Sequence, residues 1–242
     1  MCTVTLLPRK HGFVLGMNRD ESRARASGLP PGEHRHGRHR TLHPSEPGGG
    51  TWIAVTEEGY SFALINWYSV TPRSAEKRTS RGAVIPGALL ADRFADADAA
   101  IAGLPLPGMH PFRLIGIDPI DHRVIEWRWD QQKLGRLDHA WRPQQWISSG
   151  HDEPCAQAER GRIFELARKQ SSAGSLNWLR RLHRSHRPGR GPYSTCMHRA
   201  EAATVSYSEI SVDRTLIRMR HASGSPCSVE LNEGLCLKRC GI

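Results

Sequence analysis

The sequence predicts an α+β protein in which antiparallel strands and helices form separate layers. Short β-rich runs occur as pairs joined by a few polar residues, which is typical of hairpins. Helical stretches lie between these pairs rather than after every strand, which fits a layered α+β domain better than a parallel sheet. At 242 residues, the chain has the length of one sizeable domain, and we expect residues 1–242 to form it.

Hydrophobic periodicity and turn residues predict each element in order. The pattern predicts strands at 2–8 and 12–17, a long loop at 22–50, strands at 51–56 and 60–66, a helical region at 83–104, strands at 112–117 and 124–129, helices at 155–169 and 176–183, and strands at 204–212 and 215–219. The loop is predicted because its Gly, Pro, Arg and His residues form no periodic apolar face. The first strand begins at the second residue.

Composition argues against several classes of protein. The chain has 34 basic and 24 acidic residues and a formal charge of +10, which would attract phosphate, but no nucleic-acid-binding module accompanies this charge. We therefore expect no nucleic-acid partner. Apolar runs fall short of the roughly 18 residues that cross a bilayer, and the start of the chain does not resemble a signal peptide. We expect a cytoplasmic protein without a membrane span; its oligomeric state is left open.

The six cysteines give little support for disulfides or metal binding. They form no C-x-x-C pair, and cysteines of a cytoplasmic protein are usually reduced. We therefore expect no resident cofactor and no metal site.

Cys2 is the residue with the clearest chemical potential. Removal of Met1 would leave a thiol and a free α-amine on one residue. A thiol has a pKa of about 8.5 and an α-amine about 7.7 to 8.0, so the amine can take the thiol proton near neutral pH. Cys2 could thus serve as nucleophile with its own base, although a cysteine at the second position is more often incidental.

Three polar residues at the ends of predicted hairpins could assist Cys2. Arg19 could stabilise a thiolate, Asp20 could orient the α-amine, and the Asn66 side-chain amide could donate to an oxyanion. The alternative for Arg19 and Asp20 is an ordinary surface turn with an ion pair of about 0.2 to 1 kcal/mol.

Several motifs resemble one known family. The segments MCTVTL, MNRDES, GGGTWIAV and ALIN, with Ser80-Arg81-Gly82 and Cys196-Met197-His198-Arg199 further along, resemble the NRDE family, also called the transport and Golgi organisation protein 2 family. The resemblance implies a four-layer αββα sandwich of the N-terminal-nucleophile hydrolase type. It also implies a small-molecule amide or acyl substrate, because the nearest hydrolases cleave linear amide bonds.

Carried onto this sequence, the resemblance implies Cys2 as nucleophile, Arg19 and Asp20 as its supporting pair, and Asn66 as an oxyanion or substrate contact. One departure concerns a Ser-Asn pair of many relatives, which is Ser148-Ser149 here. A second oxyanion asparagine is therefore not evident from the sequence.

The same family is associated with haem handling and membrane trafficking, which gives an alternative function. The chain could be a non-enzymatic carrier of haem or another hydrophobic ligand. The predicted loop contains imidazoles that could bind a metal or haem iron, at His34, His36, His39 and His43. A solvated basic loop explains these residues better, because no carboxylate or thiolate joins them.

Two further groups have weaker functional interpretations. Cys196 and His198 alternate on a predicted strand and could form a nucleophilic couple, but packing is their more frequent role. The Arg-rich run 180–190 could bind phosphate. Few aromatic residues accompany it, so we interpret it as a charged helix end and loop.

Overall fold

The computed structural model describes residues 2–71 and 79–240. The strands in these residues are β1 (Cys2–Arg9), β2 (Gly12–Ser22), β3 (Leu29–His36), β4 (His39–Ser45), β5 (Ile53–Thr56), β6 (Ser61–Asn66), β7 (Phe112–Asp118), β8 (Arg123–Trp129), β9 (Leu134–His139), β10 (Gln144–Ser148), β11 (Ala202–Val212), β12 (Leu216–Ala222) and β13 (Leu235–Lys238). The α-helices are α1 (Val84–Ala88), α2 (Ala97–Ala102), α3 (Glu153–Arg168) and α4 (Leu176–Arg184).

The strands form two antiparallel sheets. The first has the order β10-β1-β2-β11-β12-β13, and the second has the order β3-β4-β5-β6-β7-β8-β9. In the first sheet, β1 occupies an interior position between β10 and β2. The beginning of the chain is therefore held on both sides by strand hydrogen bonds.

Three groups of buried apolar side chains define four layers. Both sheets contribute to the central group, which includes Val4, Leu15, Ile53 and Ile115. The second sheet packs its other face on α1 and α2 through Phe62, Ile85, Ile101 and Trp127, and the first sheet packs on α3 and α4 through Leu7, Val14, Phe164 and Trp178. The order is helices, sheet, sheet, helices, which confirms the predicted αββα sandwich.

The two long helices begin at side-chain caps. Asp152 accepts a hydrogen bond from the backbone N–H of Cys155 at 3.1 Å, at the start of α3. Ser175 accepts one from Trp178 N–H at 3.1 Å, at the start of α4. Such caps satisfy amide groups that have no partner within the helix.

The prediction of one long loop at 22–50 is wrong, because part of it forms the hairpin of β3 and β4. His39 is buried and bonds through Nδ1 to Glu58 at 2.9 Å, so its polar ring is satisfied without solvent. Strands β9, β10 and β13 were also not predicted. Within 83–104, two short helices replace a continuous helical region.

In the part of the chain that is described, no helix combines the length and apolar character needed to span a membrane.

Candidate active site

The pairing register places Cys2 in a row of polar residues across the first sheet. Its Cα partner is Arg19 on β2 and Ser148 on β10, and Arg19 is in turn paired with Ser206 on β11. Directly paired residues of neighbouring strands point to the same face. Because Val4 and Met17, each two residues away along the strand, pack between the sheets, this row faces the second sheet.

A cavity of about 290 Å³ opens at this end of the two sheets. The four residues predicted from sequence, Cys2, Arg19, Asp20 and Asn66, all line it. Its other lining residues include Glu46, Trp52, Arg81 and His110. The fold thus brings the predicted residues to one place, while their catalytic roles stay predictions.

The Cys2 side chain is largely enclosed, with 7% of the residue exposed. Burial raises the pKa of its thiol, and the Asp20 charge also raises it, whereas the positive chain terminus, the Arg19 charge and a hydrogen bond from the Asp20 backbone lower it without overcoming burial. The thiol is therefore protonated at neutral pH. Attack by Cys2 requires a base that removes this proton, in addition to a nearby positive charge.

Arg19 is held by two carboxylates and one aromatic ring. Its Nη2 lies 2.9 Å from Glu46 Oε1 and 3.3 Å from Glu21 Oε2, and its guanidinium lies 4.4 Å from the centre of the Trp52 ring. Arg25 bonds to the same two carboxylates, at 3.0 Å from Glu21 and 2.8 Å from Glu46. The guanidinium is therefore fixed at the cavity wall and partly neutralised by its partners.

Asp20 borders the cavity, but its carboxylate is held on the side of β2 that packs against α3, by residues distant in sequence. Thr204 Oγ1 on β11 donates to Asp20 Oδ1 at 2.6 Å, and Arg160 Nη1 on α3 lies 3.3 Å from Oδ2. The same Arg160 nitrogen donates to Thr3 Oγ1 at 2.7 Å. Both ion-pair side chains are fully buried, so the start of β1 is joined to α3 through charge-assisted hydrogen bonds.

Asn66 reaches the cavity from the second sheet. It is half-buried at the end of β6, and its Nδ2 donates to the Tyr68 hydroxyl at 2.7 Å. A side-chain amide carries two N–H donors. The second one can serve an oxygen atom in the cavity.

Two glycine motifs meet beside this cavity. A Cβ on Gly82 would lie 3.0 Å from the Cα of Gly50, and Thr51 N–H donates to Gly82 O at 3.2 Å. This contact requires residues without side chains at both positions. It places the neighbouring Arg81 at the cavity, where its side chain is half-buried and donates to Pro111 O at 3.1 Å.

Sequence patterns predict no role for several residues of the site. Arg81 has an electrostatic interaction with Cys2, and its Ser-Arg-Gly motif was the one available signal. Arg160 had none, because its partner Asp20 lies 140 positions away in the sequence. Ser148 and Ser206 each have a buried hydroxyl without a hydrogen-bond partner in the described residues.

The family resemblance predicts an asparagine where the chain has Ser149. Its backbone N–H donates to Glu153 Oε1 at 3.2 Å, and its hydroxyl donates to His151 O at 2.7 Å. The structure therefore places no amide side chain at this position.

The histidines predicted to lie in a solvated loop are instead part of the β3–β4 hairpin. His34 stacks on His43 at 3.9 Å between ring centres, and the Nε2 atoms of His36 and His43 are 3.0 Å apart. Burial lowers the pKa of His43 to about 4, so this ring is neutral at pH 7. The solvated-loop interpretation is wrong for His39 and His43, which are both buried.

Two arginines of the basic run, Arg180 and Arg184, form ion pairs with other parts of the protein. Arg180 bonds to Glu209 at 2.7 and 2.8 Å, and Arg184 lies 2.9 Å from Glu230. These pairs agree with a charged helix end rather than a phosphate-binding surface.

The chain is similar to one sequence family and to several solved structures. The family model described as Transport and Golgi organisation 2 matches residues 1–126. No curated protein matches the chain in sequence.

Two solved structures share the arrangement of the chain. Penicillin V acylase from Agrobacterium tumefaciens is 11% identical, with 90% of this chain and 82% of that chain covered and a TM-score of 0.51. A variant of the conjugated bile acid hydrolase from Clostridium perfringens is 9% identical, with 97% and 96% covered and a TM-score of 0.56. At these identities the likeness shows a common fold, that of N-terminal-nucleophile acylases.

Proposed function

The chain belongs to the Transport and Golgi organisation 2 family, and from this premise we propose that it is a cysteine hydrolase that cleaves a linear amide of a small molecule. The observation that carries the proposal is the cavity shared by Cys2, Arg19, Asp20 and Asn66. The names of the two structural neighbours, an acylase and a hydrolase of conjugated bile acids, support acyl-transfer chemistry on this fold.

The proposed reaction begins after removal of Met1. The Cys2 α-amine accepts the thiol proton, and Sγ attacks the carbonyl carbon of the amide. When the C–N bond breaks, the leaving amine takes the proton from the α-ammonium group, and an acyl thioester remains on Cys2. Water then adds to the thioester with the α-amine again as base, which releases a carboxylic acid and restores the thiol.

The surroundings of Cys2 support this use of the amine. Because burial raises the pKa of the thiol, an activated nucleophile needs a base beside it. The α-amine, with an ordinary pKa of about 7.7 to 8.0, is suited to accept a proton near neutral pH. Asp20, fixed by Thr204 and Arg160, would keep the ammonium form in place between the two proton transfers.

Two groups are suited to bind the substrate. The amide of Asn66 would donate to the oxyanion that forms when Sγ attacks, together with backbone N–H groups. Arg81 lies at the cavity, and its guanidinium donates to the backbone oxygen of Pro111 rather than to a carboxylate. We therefore assign Arg81 to a negatively charged group of the substrate.

Mass spectrometry of the intact protein and an acylating probe test this proposal. We expect a mass lacking Met1, and labelling of wild type by a β-lactone probe that is lost in Cys2→Ala. Cys155→Ala is the matched control, because Cys155 is a half-buried cysteine outside the cavity, and it should be labelled like wild type. Retention of Met1 in active protein, or equal labelling of Cys2→Ala, would contradict the mechanism.

The non-enzymatic alternative, a carrier of haem or a hydrophobic ligand, rests on the family association and the hairpin histidines. In the structure the Nε2 atoms of His36 and His43 face each other at 3.0 Å, so haem binding through either would first have to separate them. A saturable Soret shift on haem titration, lost in His43→Ala and unaffected by Cys2→Ala, would support the carrier. Probe labelling confined to Cys2 supports the hydrolase instead.

A further inference from the structure

Two histidines and two cysteines converge at a second place in the molecule. They are His186, Cys196, His198 and Cys227, and one ligand atom from each lies within 4.8 Å of the other three. His186 follows α4, Cys196 and His198 precede β11, and Cys227 follows β12. Three separate segments of the chain therefore meet through side chains that are all potential metal ligands.

Three of the six distances between these ligand atoms, all measured from His198 Nε2, are close to the edges of a tetrahedron around zinc. Bonds of about 2.3 Å to sulfur and about 2.0 to 2.1 Å to nitrogen give ligand separations of about 3.3 Å between two nitrogens and about 3.6 Å between nitrogen and sulfur. His186 Nε2 and His198 Nε2 are 3.2 Å apart, and His198 Nε2 lies 3.5 Å from Cys196 Sγ and 3.4 Å from Cys227 Sγ.

We propose that His186, Cys196, His198 and Cys227 bind one zinc ion. Two thiolates and two imidazoles form a ligand set that favours zinc and tetrahedral geometry. Because four protein ligands fill the coordination sphere, no position is open for water or substrate, and the ion has a structural role.

The charges of the ligand set balance the charge of the ion. Two thiolates and a zinc dication sum to zero, so the site has no net charge when zinc is bound.

The chain around the ligands is already shaped by hydrogen bonds. Ser194 Oγ donates to Cys196 O at 2.7 Å, and Cys196 N–H donates to Ser185 O at 3.0 Å, next to His186. On the other side, Ser225 Oγ donates to Thr204 O at 2.6 Å, two residues before Cys227. These bonds bring the ligand-bearing segments together, as expected of partners that orient metal ligands.

The proposed zinc site is joined to Asp20 through two residues, Met197 and Thr204. Met197, between the two ligands of its segment, exchanges two hydrogen bonds with Thr204, at 2.8 Å and 2.9 Å. Thr204 Oγ1 donates to Asp20. Zinc would therefore fix the backbone that positions Asp20, whether or not Cys2 turns over a substrate.

Metal analysis of the full chain tests the proposal. The protein is purified with a reductant and without chelators, its zinc is measured by elemental analysis, and the metal-free form is titrated with Co²⁺. We expect one zinc per chain, and a Co²⁺ complex with tetrahedral d–d bands and thiolate charge-transfer absorption. Both should be lost in Cys227→Ser, which tolerates substitution because Cys227 is exposed.

Cys236→Ser is the matched control, because Cys236 is also exposed and lies outside the group; it should keep both signals. Three outcomes would overturn the proposal. These are wild-type protein that binds neither zinc nor Co²⁺, zinc content unchanged in Cys227→Ser, and a Cys196–Cys227 disulfide that persists in reduced, zinc-supplied protein.

Discussion

The cysteines of this protein occur at two contrasting sites. Cys2 lies on a strand between two other strands, and its neighbours are fixed by ion pairs and hydrogen bonds among protein groups. Cys196 and Cys227 lie outside the strands, and the side chains that meet there are all metal ligands. Protein groups alone hold the first site together, whereas the second would be completed by the proposed zinc ion.

The two sites nevertheless share a support. Asp20, Thr204 and Met197 form a continuous path of hydrogen bonds from β2 to the segment between Cys196 and His198. Substitutions at and between the two sites test how independent the first site is.

Loss of Arg160 should have the largest effect on stability. Arg160→Leu leaves the buried carboxylate of Asp20 without its cationic partner, and breaking a buried ion pair costs about 3 to 5 kcal/mol. The free energy of unfolding, measured with urea, should fall by this amount.

Arg162→Leu is the control on the same helix. Its pair with Glu159 is largely exposed, and such pairs contribute about 0 to 1 kcal/mol. Equal effects of the two substitutions would mean that buried protein contacts do not hold the first site.

Because of His183, the free energy of unfolding should fall at acidic pH. Its pKa is lowered from 6.5 to about 3, first by burial and then by the charge of Arg160. Below pH 6.5 the unfolded chain binds a proton at this residue and the folded chain does not. The stabilisation is therefore complete above pH 6.5 and is lost as the pH falls towards 3, by about 1.4 kcal/mol per pH unit at most.

Urea unfolding between pH 7 and pH 4 measures this effect. His183→Gln should flatten the pH dependence, because glutamine has no proton to gain, while the exposed His151→Gln should leave it unchanged. His183 bonds to Asn18 and Thr5 beside the first site. If the free energy of unfolding changes with pH equally in wild type and His183→Gln, His183 does not couple this site to pH.

Much of the first site could be predicted from sequence because its residues lie at the ends of hairpins. Cys2 and Arg19 become neighbours through one short turn, so local strand pairing is enough to bring them together. Asn66 ends the second predicted pair of strands. The polar motifs around these residues were also those that identified the family.

The remaining features depend on contacts between distant residues. Arg160 meets Asp20 across 140 positions, and Cys227 meets His198 across 29, so no local spacing reveals either pair. The β3–β4 hairpin was missed for another reason. Its buried positions include histidines that bond to other side chains, so the strand lacks the apolar alternation by which strands are recognised.

Gly82→Ala should have a moderate effect on stability and a specific effect on Cys2. The new Cβ would press on the Gly50 backbone, and overpacking of this kind costs about 1 to 3 kcal/mol. Because the same contact places Arg81, labelling of Cys2 by a negatively charged acyl probe should slow more than labelling by a neutral one.

Gly48→Ala is the control in the neighbouring glycine run, since no atom lies within 4 Å of its added Cβ. It should change stability by less than about 0.5 kcal/mol. If Gly82→Ala labels at the wild-type rate with both probes, the 79–82 segment does not shape the first site.

Removal of the proposed zinc ion should have the smallest effect on the fold as a whole. We expect this effect to be confined to the segments that carry the four ligands. Hydrogen exchange measured with and without a chelator should accelerate in residues 185–199 and 223–231, which contain the four ligands. Exchange in β1 and the first half of β2 should stay unchanged, because these strands are hydrogen-bonded within the sheet. Cys227→Ser should show the fast pattern with or without chelator. Faster exchange throughout β1 would instead mean that the ion also organises the Cys2 site, and the path through Met197, Thr204 and Asp20 would be its route.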